Sequence, residues 1–300
     1  MVCPNKFLKG ILALGALVAA LPVVAQEAQM FEKIDVRAAK EAEWRLNLRR
    51  ISLDFSNTDV KNAKEYENSP VSQLSADSQM IVKGVFDAAV EYDHTYSLWT
   101  NTLYMDYGKT KLKKVDGEKS TSENTDIILL TTDYAQKVWR YKEIDIGPFV
   151  NIGYQTEFTE NTDAPREKLF RGKVGMKAFN GEVFKDVYIA AIGEYDMTYS
   201  TNVSKSGAEV GGRFEYVLRE GIKFSGDGYY RRYFSYSDYI GTDLRYDLKV
   251  IARMDVALYK NFALGPYVSY RRAHDRQSSV AGSNFMIGLS FSYSDLFNLN

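Results

Sequence analysis

From Trp44 onward the chain alternates apolar and polar positions with a period of two, the spacing of a strand whose two faces meet different surroundings. The run from Asp243 to Leu258 shows this most fully. Leu244, Tyr246, Leu248, Val250, Ala252, Met254, Val256 and Leu258 alternate with Asp243, Arg245, Asp247, Lys249, Ile251, Arg253, Asp255 and Ala257. A second run sets Ile144, Ile146, Pro148, Val150, Ile152, Tyr154, Thr156 and Phe158 against Asp145, Gly147, Phe149, Asn151, Gly153, Gln155 and Glu157. Both are longer than an ordinary globular strand and long enough to cross a bilayer at a tilt.

Twelve such segments are predicted, at about 44–56, 78–92, 95–110, 124–138, 143–158, 168–180, 185–200, 206–219, 221–236, 241–258, 262–274 and 280–294. Their connections alternate in length. Polar linkers such as Ser56–Asp77 and Lys111–Glu123 follow the odd-numbered strands. Tight turns follow the even-numbered ones: Asp93-His94, Trp139–Lys142, Gly181–Phe184, Glu220 and Tyr259–Asn261. Short turns at one rim and long loops at the other are the layout of an outer-membrane barrel with both termini periplasmic. A soluble sandwich has no reason to sort loop length by parity. The expected fold is therefore all-β, a transmembrane antiparallel up-and-down β-barrel of about 12 strands over residues 44–300.

The last strand closes with Gly288-Leu289-Ser290-Phe291-Ser292-Tyr293, the glycine and spaced aromatics with which bacterial outer-membrane barrels end. Aromatics gather at predicted strand ends, Trp139 and Tyr141 at one rim, Tyr107, Phe158, Tyr199, Phe234 and Tyr236 at the other, where amphipathic rings suit lipid headgroups. Glycines 172, 175, 193, 211, 212, 226 and 228 fall inside strands, which calls for bends, close packing or lumen space.

The N-terminus changes the compartment. Lys6 and Lys9 precede an apolar run from Ile11 to Leu21, and Val23-Val24-Ala25 has the small residues of a cleavage site, so residues 1–25 read as a signal peptide cut before Gln26. Residues 26–43, rich in Ala, Glu, Lys and Arg with Phe31, Ile34, Ala38 and Ala42 near helical spacing, are expected to be a short periplasmic segment. The single cysteine, Cys3, leaves with the signal, which excludes disulfides, thiolate metal sites and cysteine nucleophiles from the mature chain. Removing Lys6 and Lys9 from the 38 basic residues leaves 36 against 39 acidic, a balance that does not favour nucleic acid. A mean hydropathy of -0.33 with 22 Tyr and 16 Phe suits strands with one apolar face, not membrane helices.

The predicted lumen face is heavily charged. The residues expected to set a pore are Arg171, Lys173, Glu194, Arg213, Asp227, Arg231, Arg245, Lys249 and Arg271. Strand direction places Arg171, Lys173, Arg231, Arg245 and Arg271 in the outer half, and Glu194, Arg213, Asp227 and Lys249 nearer the middle. A basic outer half focuses potential that attracts anions; the blander expectation is a cross-strand salt-bridge ladder that satisfies the charges.

Catalytic and metal chemistry find little to stand on. No His-x-Ser-Asn-Gly string of a barrel phospholipase occurs, and there are two histidines. His94 reads as a turn residue, and His274-Asp275 with Ser278 and Ser279 would need a geometry that sequence proximity does not supply. No clustered His or Cys, phosphate loop or calcium loop is present, so neither enzyme activity, cofactor nor metal is expected.

The stretch Ser97-Leu98-Trp99-Thr100-Asn101-Thr102-Leu103-Tyr104-Met105-Asp106-Tyr107-Gly108, followed by a polar loop and Asn124-Thr125-Asp126-Ile127 to Tyr134, resembles a family of bacterial outer-membrane barrels catalogued as a domain of unknown function. Ser52-Leu53-Asp54-Phe55-Ser56 and Tyr154-Gln155-Thr156-Glu157-Phe158 are similar to its other recurrent pieces, and together these cover roughly the first half of the mature chain. Where that family has a Trp and paired glycines after the first strand, this chain has Ser56-Asn57-Thr58-Asp59. The resemblance implies location and fold and brings no catalytic residues.

The expected function is a narrow channel for passive diffusion of small hydrophilic solutes, anions preferred. The alternative is a structural or surface-interaction barrel with a blocked lumen. The partners expected are outer-membrane lipid and lipopolysaccharide, the barrel-assembly machinery through the C-terminal strand, and a small polar solute.

Overall fold

The computed structural model describes residues 32–33, 42–66, 72–75, 80–113, 119–159, 165–239 and 243–299. The expected signal peptide and most of the 26–43 segment lie outside them; within that segment Glu32–Lys33 form a two-residue strand.

Twelve long strands follow: β1 (Glu43–Lys61), β2 (Met80–His94), β3 (Ser97–Lys113), β4 (Lys119–Gln136), β5 (Ile144–Thr156), β6 (Lys168–Phe179), β7 (Phe184–Asp196), β8 (Val203–Arg219), β9 (Ile222–Tyr236), β10 (Leu244–Tyr259), β11 (Phe262–Asp275) and β12 (Gly282–Asn298). Each pairs antiparallel with the next, and β12 pairs with β1 from Ser283–Lys61 to Asn298–Arg45, so the sheet closes and leaves no edge. The fold class is the one the alternation predicts. A three-residue strand, Trp139–Tyr141, adds a partner to the start of β5.

Loop lengths sort by parity with one exception, the link 137–143 between β4 and β5, which is as long as several connections at the other rim and carries a short strand of its own. Four of the five short turns are made by a residue in the left-handed region, Lys142, Asn180, Gly221 or Lys260, which lets the chain reverse within a few residues. One long linker differs from expectation: Lys109–Lys113 pair with Lys119–Glu123, so the polar stretch predicted as loop over Lys111–Glu123 is mostly strand. A polar hairpin rich in Thr and Ser continues the ladder, because polarity forbids lipid contact and not pairing.

Side chains divide by parity as predicted. On β5 the outward positions are Ile144, Ile146, Pro148, Val150, Ile152 and Tyr154, with Asp145, Gly147, Phe149, Asn151 and Gly153 turned in. The outward face is exposed and mainly apolar, with Ile189 at 64% and Phe234 at 67%. Inside, the described residues form three small apolar clusters: Ala135, Phe149, Phe179 and Ala190; Ile81, Tyr267 and Met286; and Tyr66, Leu74 and Ala273. Acidic groups such as Asp54, Asp106, Asp145 and Glu209 are among the most deeply buried side chains, so the interior is polar.

Two departures from strict alternation shape the lumen. In β1 the pairing jumps from Leu48–Ala88 to Arg50–Asp87, while on the other side Leu48 faces Asp295 and Ile51 faces Tyr293. This bulge turns both Arg49 and Arg50 into the lumen, since the extra residue shifts the parity of everything after it. At the long-loop rim the β8–β9 register shifts beside Phe234. That corrects one girdle assignment: Tyr236 turns into the mouth, where its hydroxyl donates to the carbonyl of Leu244, and does not face outward.

Candidate functional site in the barrel lumen

The linker between β1 and β2, expected as a surface loop, folds into the mouth of the barrel. A 3-10 turn, Ala63–Tyr66, and a one-turn helix, α1 (Ser72–Ser75), are its described parts. The Tyr66 hydroxyl donates to the carbonyl of Val280 at 2.9 Å and accepts from the backbone N–H of Asp275 at 3.1 Å. Leu74 is fully buried. Gln73 accepts from Arg271 through its side chain at 3.4 Å and from Asn284 through its carbonyl at 2.7 Å. Because α1 packs against β1, β4 and β12, this segment bridges the opening.

Below it, the charges on one wall form a continuous network. Arg171 and Glu194 pair closely at one level of β6 and β7. Arg231 on β9 reaches Glu194 at 3.4 Å and Glu209 on β8 at 2.5 Å, and Lys173 also holds Glu209 at 2.5 Å. The Tyr188 hydroxyl donates to Glu209 as well, at 2.6 Å. A neighbouring group joins Arg271 to Asp247 through two bonds of 3.0 and 2.8 Å, with Tyr229 donating to the same carboxylate. Buried carboxylates are tolerable here because each is held by at least two donors, most of them charged.

The expected site residues divide accordingly. Arg171, Lys173, Glu194, Arg231 and Arg271 are ion-paired in the outer half. Glu194 is a correction in height: β7 ends at Asp196, earlier than predicted, which puts Glu194 level with Arg171 and not at the middle. Arg213 and Asp227 stand opposite one another on β8 and β9 and line a cavity at the short-turn rim, below the middle where they were expected. Lys249 lies inside opposite Arg271, within electrostatic range of Asp106 and Asp227. Arg245 is corrected outright: it is exposed, because the β10–β11 register skips it between Leu244 and Tyr246 and the bulge carries it away from the lumen.

Among the described residues Arg50, Arg213, Asp227 and Lys249 form no ion pair. Sequence reasoning missed two groups. Glu209 shares the parity of Arg213 and Glu215 and was legible there. Arg49 and Arg50 were hidden by the bulge, although Leu46 and Leu48 followed by Ile51, Leu53 and Phe55 mark the shift of phase.

The cavity, about 350 Å³, opens beside the turns at Gly221 and Lys260. Arg49, Arg50, Arg213 and Arg253 converge on it, with Asp227 exposed to its space.

The histidines do not build a catalytic group. His274 donates from Nδ1 to the carbonyl of Asp275 at 2.6 Å, while the Asp275 carboxylate accepts from Tyr239 and from the backbone of Gln277 and Ser278. Ser278 spends its hydroxyl on the carbonyl of Val280. His94 accepts from Tyr96 within the β2–β3 turn. Among the described residues no group of His, Asp and Glu is placed to hold a metal ion, and no helix is long and apolar enough to cross a membrane.

No family model and no curated protein matches the chain. Solved structures of similar fold include outer membrane phospholipase A from Escherichia coli, at 12% identity and a TM-score of 0.41 over 81% of this chain and 89% of that one. The outer membrane channel DcaP of Acinetobacter baumannii is 10% identical over 85% and 97%, with a TM-score of 0.41. An outer membrane channel from Pseudomonas putida F1 is 9% identical over 85% and 96%, with a TM-score of 0.44. At such identities and scores no argument about function passes from those proteins to this chain, which stands on its own residues as a closed twelve-stranded antiparallel β-barrel with a charged lumen.

Proposed function

We propose that this chain is an outer-membrane barrel that passes small hydrophilic solutes, anions preferentially, through a narrow charge-lined lumen constricted at the long-loop rim by Tyr66 and α1. The apolar outward face supports a lipid surround: side chains such as Ile189, Phe234 and Ile287 form a belt far larger than a soluble monomer leaves in water. Short turns at the rim where β1 begins and β12 ends support periplasmic termini, long loops facing lipopolysaccharide, and assembly through β12. The chain is not read as an enzyme, since His274 is engaged by a backbone carbonyl.

The observation that carries transport is that Arg50, Arg213 and Lys249 lie in the lumen with no carboxylate in contact within 4.0 Å, their nearest counter-charges acting on them only at longer range. Unpaired cations inside a barrel reduce its stability, so a post that merely spans the membrane gains nothing from them. A path for anions does, because charge on low-dielectric walls raises the local anion concentration.

A second reading, a blocked barrel with a structural or contact role, is favoured by the wedge of Tyr66 and Leu74 and by the complete pairing of Glu209. Single-channel recording of the folded mature protein under a salt gradient separates the two. Discrete steps with an anion-biased reversal potential support transport. Silence that persists after deletion of residues 62–75 supports the blocked barrel.

A further inference from the structure

We propose that the short-turn end of the lumen is a binding site for a small oxyanion, a carboxylate or phosphate group, formed by Arg49, Arg50, Arg213 and Arg253. The inference rests on the reading of the lumen as a solute path and names the class of solute it takes.

Four guanidiniums reach one cavity because of the β1 bulge. A regular strand would send one of two adjacent arginines outward, whereas here both Arg49 and Arg50 turn in, facing Arg213 and Arg253. Arg49 and Arg213 come from well-separated strands, β1 and β8, yet lie close enough to repel one another. Six cationic side chains line the cavity against four carboxylates. Folding alone does not favour such an excess.

The carboxylates present orient the arginines without saturating them. Arg253 holds Asp255 at 2.7 Å and the Ser292 hydroxyl at 3.2 Å, and Arg49 reaches Glu91 at 3.4 Å. Nε of Arg49, Nε of Arg213 and Nη1 of Arg253 remain buried with no acceptor, against one lining carboxylate oxygen, Oδ1 of Asp87, that is buried with no donor and stands 3.8 Å from Arg49. Buried donors are nearly always satisfied, so three orphaned N–H groups around one cavity mark the place of an acceptor-rich guest. Guanidinium forks match carboxylate and phosphate oxygens two at a time, a geometry that a halide cannot use. A volume of about 350 Å³ also falls in the range of about 300–1,000 Å³ typical of small-molecule sites.

The test is thermal unfolding of the folded mature barrel in non-ionic detergent, titrated with inorganic phosphate and separately with succinate, at ionic strength held constant with chloride. Saturable stabilisation by either probe is expected, with an apparent affinity at least about tenfold weaker in Arg50→Gln and Arg213→Gln and unchanged in Arg245→Gln. Without either probe Arg213→Gln is expected to melt no lower than the parent, since Arg213 makes no ion pair, whereas Arg50→Gln also gives up the attraction of Asp54, Asp87 and Asp227 and is read by its probe affinity alone, which keeps loss of binding distinct from loss of folding. Equal stabilisation of all three variants, or none in the parent, overturns the site. A barrel that binds phosphate and never conducts overturns the transport reading and keeps the site; one that conducts with no probe-dependent stabilisation does the reverse.

Discussion

A Cβ built on Gly282 would stand 2.9 Å from the ring of Tyr66, so glycine at the start of β12 is what lets the tyrosine seat in the barrel mouth. The constriction is thus held by one side chain, whose hydroxyl accepts from Asp275 and shares its hydrogen between the carbonyls of Val280 and Ala273, and by a missing methyl group.

Gly282→Val is expected to unseat Tyr66 at a cost of about 1–3 kcal/mol, and Tyr66→Ala to empty the same place. Both should raise single-channel conductance over the parent. Identical conductance in all three proteins would show that Tyr66 does not constrict the path.

Glu209 is the centre of the lumen network, 1% exposed and bonded to Arg231, Lys173 and Tyr188. Glu209→Gln leaves two buried cations short of a counter-charge, and a loss of about 3–5 kcal/mol is expected in urea unfolding of the barrel in vesicles. A loss below about 1 kcal/mol would mean that water reaches these cations and the wall is not dry.

Selectivity should follow position and not the count of arginines. Neutralising Arg50 or Arg213 is expected to move the reversal potential toward cations, and neutralising Arg245 to leave it where it was, since Arg245 stands outside the lumen. Cation selectivity in the parent, or an equal shift from Arg245→Gln, would contradict the map.

At the long-loop rim the Glu167 carboxyl is pushed up to about 7, chiefly by burial and also by the neighbouring Glu157 and Asp196, against the bond from Gln155 and the charge of Arg171. The folded rim therefore binds a proton that the unfolded chain has already lost. Stability from this group is full below the ordinary carboxylate value and is lost as pH rises through about 7. Thermal midpoints should fall between pH 5 and 8 in the parent and less steeply in Glu167→Gln; parallel curves would show that Glu167 is not the group titrating.

Strand number, order and facing were readable because lipid and lumen impose opposite demands on alternate residues, and β5 and β10 obey them almost without exception. The wall network was readable in part: Arg171, Lys173, Glu194 and Arg231 each fall on the inward positions of their own strands, but nothing local says that Glu209 is their meeting point. The bulges at Arg49 and Arg245 carry no turn residue to announce them, and they decide which arginines face the cavity. The seating of Tyr66 was beyond reach, since it depends on Gly282, Asp275 and Val280, all more than two hundred residues away.

The Arg49–Arg50 bulge also acts as a frame shift in orientation. Deleting either arginine would leave Leu46, Leu48, Ile51, Leu53 and Phe55 alternating on one outward face with a single arginine turned in between them, so β1 would run on without a bulge. The inserted residue is thus a surplus that the strand carries without disturbing its other side chains, and its one effect is to bring a second guanidinium into the lumen.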